Sequence, residues 1–201
     1  MNQLKGQKKF RWGLTAIVLA ILLTPAFTFA QEKIEREYSI KPSAVPEMAL
    51  KFTQQAFDGR KVRWYAEESQ KGKSIEAKVK QDATVYSVEF DQKGNLLDVE
   101  VHIKFRSLPE PLRKTIMNTL ETTMGRVKIH KIQRQWTGAT EAMKELITDK
   151  KTTKPYTTKY ELVIRVTKNR VTADYEILMD EQGKVLRQQK ISRNHSPHLL
   201  F

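Results

Sequence analysis

Two stretches of this sequence recur in the same order, and that duplication constrains the fold more than any other feature. Val45-Pro46-Glu47-Met48-Ala49-Leu50 stands beside Leu108-Pro109-Glu110-Pro111-Leu112-Arg113, and Tyr86 to Leu97 stands beside Tyr175 to Leu186. The first pair is offset by 63 residues and the second by 89, so the second copy holds about 26 extra residues, placed between Trp136 and Tyr160. A duplicated unit must make the same elements twice and then find a way to bury both copies.

Each copy opens with a helix. In the second, Ser107 and Glu110 have the spacing of a capping box, and Pro109 falls where its missing N–H costs little. Leu112, Ile116 and Leu120 follow at steps of four, with Met117 and Met124 extending the stripe. In the first copy the expected stripe is Pro46, Met48, Phe52 and Ala56, widened by Leu50 and Phe57. Asp58-Gly59 and Gly125 end the two helices.

Period-two segments follow. In the first copy they are 62–67, 74–80, 85–91 and 96–105; in the second, 127–134, 159–167, 171–180 and 185–191. Tyr86, Val88 and Phe90 share one face, and Ser87 and Glu89 the other. The expected fold is therefore α+β: two tandem repeats, each one helix packed on a four-stranded antiparallel sheet. Such a unit buries only about 60% of its unfolded surface and is marginal alone. The copies should lean on each other or join in one continuous sheet. The expected boundaries are a signal peptide at 1–30, an extension at 31–44, repeats at 45–106 and 107–192 with an insertion at about 136–159, and a tail at 193–201.

The signal peptide reads from Lys5, Lys8, Lys9 and Arg11 with no acid, then an apolar run from Gly13 to Leu23, then Thr28-Phe29-Ala30 before Gln31. Cleavage between Ala30 and Gln31 is expected, which makes the protein periplasmic or secreted and leaves no stable membrane span. A retained anchor would need about 20 apolar residues, reached here only by counting Thr24, Pro25 and Thr28. The chain has no cysteine, which excludes disulfides, a lipobox and thiolate chemistry and suits a bacterial periplasm. It carries 36 Lys and Arg against 23 Asp and Glu, a net +13 that falls to +9 without the first thirty residues. That surplus favours encounter with an acidic partner, and it equally serves to solvate an exposed face. No zinc-finger spacing, RNA-binding signature or phosphate loop accompanies it, so nucleic acid is not expected.

The string from Val45 to Glu100, with Val62-Arg63-Trp64 after the helix and Tyr86-Ser-Val-Glu-Phe-Asp-Gln-Lys-Gly-Asn-Leu-Leu after the middle strands, resembles the PepSY-like family of exported bacterial proteins. The junction Phe105-Arg-Ser-Leu-Pro-Glu-Pro-Leu-Arg-Lys-Thr-Ile116 and the closing Met179-Asp-Glu-Gln-Gly-Lys-Val-Leu186 resemble it too. The family is described as similar to β-lactamase inhibitor proteins, and its PepSY relatives are associated with restraining peptidases. The resemblance implies a noncatalytic exported module that binds a protein or peptide, with inhibition of a hydrolase as one form. The insertion and the missing cysteines depart from the pattern.

No catalytic constellation, metal site or cofactor site is expected. His102 and His130 lie in strands, and Pro197 between His195 and His198 opposes a regular zinc-binding helix. Asp91 to Asn95 reads as a hairpin turn, since it lacks the alternating acids of a calcium loop. Trp64 should be core. Trp136 reads as either core or partner anchor. The insertion reads as a short amphipathic helix, Thr140 to Ile147, then a polar stretch. Long loops on a scaffold often carry binding, so the partner-binding candidates are Trp136, Met143, Leu146, Lys150, Lys151, Lys154 and Tyr156. Two other classes remain open: a small-ligand or anionic envelope-surface binder using the curved sheet and basic patch, and a hydrolase with an unrecognised site.

Overall fold

The structure is a computed structural model that describes residues 31–33, 35–70 and 72–191. The signal peptide with Ala30, and the tail with His195 and His198, lie outside the described residues.

The strands are β1 (Gln31–Lys33), β2 (Glu35–Ile40), β3 (Val62–Ser69), β4 (Gly72–Gln81), β5 (Thr84–Phe90), β6 (Leu96–His102), β7 (Arg126–Gly138), β8 (Tyr156–Lys168), β9 (Val171–Asp180) and β10 (Val185–Ile191). The helices are α1 (Glu47–Ala56), α2 (Glu110–Met124) and α3 (Thr140–Thr148). Among the described residues the ten strands form one sheet in the order β1-β10-β9-β8-β7-β6-β5-β4-β3-β2, antiparallel throughout except that short β1 runs parallel to β10.

This corrects the expected pair of separate four-stranded units. β6 zips onto β7 through Val99↔Trp136, Glu100↔Gln135, Val101↔Arg134 and His102↔Gln133, so the seam where two sheets would end is continuous. Joining them removes two open edges, each of which would expose a row of unpaired backbone groups. The inserted helix ties the halves further. α3 lies between β7 and β8 in sequence, yet its Ala142, Met143, Leu146 and Ile147 share a core with Phe52 of α1, Trp64, Val88 and Phe90. A second core gathers Ile116, Leu120 and Met124 of α2 over Ile132, Leu162, Ile164, Ile177 and Met179. Ile132 and Trp136 are four residues apart and sit on the same side of β7, so α1, α2 and α3 lie on one face of the sheet.

Alternation builds that face as expected: Tyr86, Val88 and Phe90 are buried, and Trp64 is core, its ring 6.1 Å from that of Phe90. The α1 stripe is rotated from the expectation. Ala49, Phe52, Thr53 and Ala56 are buried while Met48 is 57% exposed. The capping box of α2 does not form. Pro109 is the cap, with no side-chain hydrogen bond, and Ser107 Oγ instead donates to the Lys104 carbonyl at 2.7 Å. A residue before proline is pushed to extended backbone, as Leu108 is, so the helix cannot begin early enough for Ser107 to reach it.

Candidate functional site

The helix-free face of the sheet carries the polar half of each alternation, and register decides which of those residues meet. Glu76 of β4 stands opposite Glu89 of β5, and Glu89 opposite Asp98 of β6. Three carboxylates thus occupy one row across three adjacent strands, at the cross-strand spacing of about 5 Å where like charges repel. The neighbouring row runs Arg63, Lys78, Ser87, Glu100, Gln135, Lys159 and Asp180. The next brings Glu161 beside Gln133. In a chain with a large basic surplus, the middle of this face is acidic.

The acids are sunk into the surface. Glu76 and Asp98 are 8% and 9% exposed, although no helix among the described residues covers them. Gln135 bridges two of them, its Nε2 donating to Asp98 Oδ2 at 3.1 Å and to Glu100 Oε1 at 3.3 Å. Asp98 Oδ1 is buried without a hydrogen-bond partner. Burial pushes the Asp98 carboxyl well above its ordinary range, reinforced by Glu89, Glu161 and Glu76 and opposed by Lys159. Burial raises Glu100 in the same way, with Glu161 and Asp98 adding repulsion and Lys131 opposing. Gln135 holds the two carboxyls side by side, and both are pushed in the same direction, toward the protonated form.

Further along the face, Glu37, Glu67 and Glu76 bring carboxylate oxygens within 4.8 Å of one another. Lys78 already supplies the cation there. Its Nζ lies 2.9 Å from Glu37 and 3.0 Å from Glu76, and 4.7 Å from the centre of the Tyr65 ring. Three acids with a built-in ammonium form a structural ion cluster, and a metal would have to displace that lysine.

The partner-binding residues expected from sequence are scattered by the structure. Trp136, Met143 and Leu146 are buried in the core. Lys150 is anchored inward, its Nζ donating to Tyr86 Oη at 2.7 Å and to the Ile147 carbonyl at 2.6 Å. Lys154 pairs with Glu145. Lys151 and Tyr156 are exposed. The basic patch of the insertion is therefore partly consumed holding the loop after α3 in place. Gln31, the expected first residue after cleavage, is the first residue of β1.

His102 and His130 are exposed, and neither hydrogen-bonds a carboxylate or a hydroxyl among the described residues. Partial burial holds His102 below its usual value, with Lys131 adding to the effect. Burial lowers His130 as well, followed by the Arg165 and Lys128 charges. Asp91 to Asn95 forms the expected hairpin turn: Asp91 Oδ1 accepts from the backbone N–H of Lys93 and Asn95, both at 2.8 Å. The Asn95 side chain and these backbone donors hold the Asp91 carboxyl below the usual carboxylate range. Asp180 makes the same turn with Gln182 and Lys184, at 3.0 and 2.9 Å.

The fold and face describe a helix-backed antiparallel sheet with an acidic open side. No protein-family model matches the sequence, and no curated protein matches it, so the PepSY-like resemblance rests on the residues quoted for it. Among solved structures the chain is similar to a BLIP-like protein from Bacteroides fragilis, at 14% identity over 77% of this chain and 94% of that one, with a TM-score of 0.46. It is also similar to a candidate periplasmic protein from Bacteroides eggerthii, at 13% identity over 73% and 88% of the two chains, with a TM-score of 0.46.

Proposed function

We propose that this chain is an exported, noncatalytic module that binds another protein or peptide through the helix-free face of its sheet. The observation that carries the reading is the row Glu76, Glu89 and Asp98. Like charges opposed across strands and a buried carboxyl with an unpartnered oxygen work against folding, and such costs gather where a surface has another task. Perturbed carboxyls also mark catalytic sites. Here they stand without a hydrogen-bonded histidine or a nucleophile–base pair among the described residues, which favours recognition over chemistry. Restraint of an exported hydrolase is one form such binding takes, and the PepSY-like resemblance supports it.

The acidic face changes the expected partner from acidic to basic. The anionic-surface alternative loses support because Lys150 and Lys154 are engaged internally. Export rests on the basic and apolar segments of residues 1–30, and cleavage after Ala30 would leave β1 intact.

The test places a photo-crosslinking residue at Val85, exposed on the open face, and separately at Met48, exposed on α1. Partner protein captured from Val85 and not from Met48 supports the reading. Equal capture from both sites, or capture from Met48 alone, would sink it.

A further inference from the structure

Three features of the open face compete as a specific site. The Glu37, Glu67 and Glu76 group has the carboxylate density for a metal, but the Lys78 ammonium lies between Glu37 and Glu76. The pair formed by Glu176 and Arg187 at 3.1 Å is self-satisfied at the carboxylate. Two nearly buried carboxylates among the described residues have an oxygen without a hydrogen bond, Glu76 and Asp98; the Glu76 oxygen is ion-paired with Lys78 at 3.0 Å, whereas Asp98 Oδ1, in the cluster with Gln135 and Glu100, has no such cation.

The chemistry around that oxygen is definite. Gln135 uses its amide N–H groups on Asp98 Oδ2 and Glu100 Oε1, so it orients both carboxylates without neutralising either. What would complete them is a donor carrying positive charge. A hard divalent ion wants six to eight oxygen ligands, and the one group of three or more carboxylates close enough to hold an ion among the described residues lies elsewhere, around Lys78. A guanidinium needs only two acceptors, presents its N–H groups in a planar fork, and is weakly hydrated, so it enters a partly dry site at lower cost than an ammonium or a metal ion.

Resting on the reading of the open face as a partner surface, we propose that the Asp98, Gln135 and Glu100 cluster is the receptor for an arginine side chain on a basic segment of the partner. Binding is then proton-linked. The groups that face the pair are Glu76 on β4, Glu89 on β5, His102 on β6, Lys131 on β7, and Lys159 and Glu161 on β8. Burial and the surrounding acids outweigh the lysines and favour the protonated pair; an incoming cation reverses that balance. Affinity therefore rises with pH until the pair ionises unaided, and binding below that point releases protons.

The experiment uses dye-labelled hexa-arginine and its neutral twin hexa-citrulline as probes, followed by fluorescence anisotropy between about pH 5 and pH 8. Hexa-arginine should bind at least about tenfold more tightly than hexa-citrulline at the alkaline end, with the contrast shrinking at the acid end. Asp98→Asn should remove most of that contrast, while Glu181→Gln, an exposed acid in the β9–β10 turn, should leave it unchanged. Circular dichroism confirms that each variant is folded. No preference for arginine, a preference indifferent to Asp98→Asn, or full displacement of the peptide by millimolar CaCl2 would overturn the proposal. Crosslinking from Val85 separates the two levels: a partner captured there by the Asp98→Asn protein leaves the binding face standing and removes only the arginine site.

Discussion

Protonation of Asp98 sets how much the open face costs the fold. A carboxyl whose folded value is raised holds more protons than the unfolded chain between the ordinary carboxylate range and the raised value. Stability therefore falls as pH climbs through that window, and the penalty is full above it. Asp98→Asn removes the charge and keeps an oxygen for Gln135. The variant should be more stable at pH 7 by about 0.5–1 kcal/mol, and the advantage should vanish below about pH 4, where the aspartate is protonated in both states. Urea unfolding at the two pH values checks this, and an asparagine variant less stable at pH 7 would mean the charge supports the fold. Lys78 behaves oppositely. Burial alone would lower its pKa, but Glu76 and Glu37 outweigh it and the net direction is up, so its contribution is present while those carboxylates are ionised and is lost as pH rises through its raised value. Lys78→Met keeps the stem and strips the charge from between two nearly buried carboxylates. A loss of about 3 kcal/mol is expected by chemical denaturation at pH 7.

At the scale of elements, the hairpin turns and the inserted helix make the sharpest contrasts. Gly94 has φ +86°, and a Cβ there would lie 2.9 Å from Pro46 Cβ and 3.1 Å from the Ala49 nitrogen, because the β5–β6 turn docks on the start of α1. Gly59 has φ +69° with open space around it. Gly59→Ala should cost about 1 kcal/mol from backbone strain alone, and Gly94→Ala about 2–3 kcal/mol, since overpacking adds to it. Thermal melts of the two variants separate the contributions. In α3, Leu146→Ala should cost about 2–4 kcal/mol, whereas Lys151→Ala should stay within about 0.5 kcal/mol. Most of these elements were legible: the period-two segments became β3 to β10, and the stretch from Thr140 to Ile147 became α3. β1 and β2 were not, because their residues, such as Glu35-Arg36-Glu37, are charged as edge strands often are and show no apolar alternation. The acidic row was invisible for a different reason. Glu76, Glu89 and Asp98 each look like the wet position of an ordinary alternating strand, and only the pairing register places them side by side. The insertion drew attention as a binding loop because long loops on a scaffold often carry binding; its Ala142, Met143, Leu146 and Ile147 pack into the core with α1.

For the molecule as a whole, the connection between halves matters more than either half. The β6–β7 seam makes one sheet, and α3 carries the packing of the second half into the core of the first. Residues 31–106 alone would leave Phe52, Trp64 and Phe90 without the cover of Met143, Leu146, Ile147 and Trp136, and would expose β6 as an open edge. Separately produced 31–106 should therefore lack a cooperative melt and bind hydrophobic dyes, although it contains α1 and the six strands β1 to β6. The intact chain should unfold in a single step. Trp64 and Trp136 share that core from opposite sides of the seam, so tryptophan fluorescence and far-ultraviolet circular dichroism should give coincident urea transitions. Leu120→Ala in the α2 core should shift the midpoint of both together. If it moved the dichroism curve and left the tryptophan curve in place, the two cores would be melting independently, and the seam would be a contact between two domains instead of the middle of one.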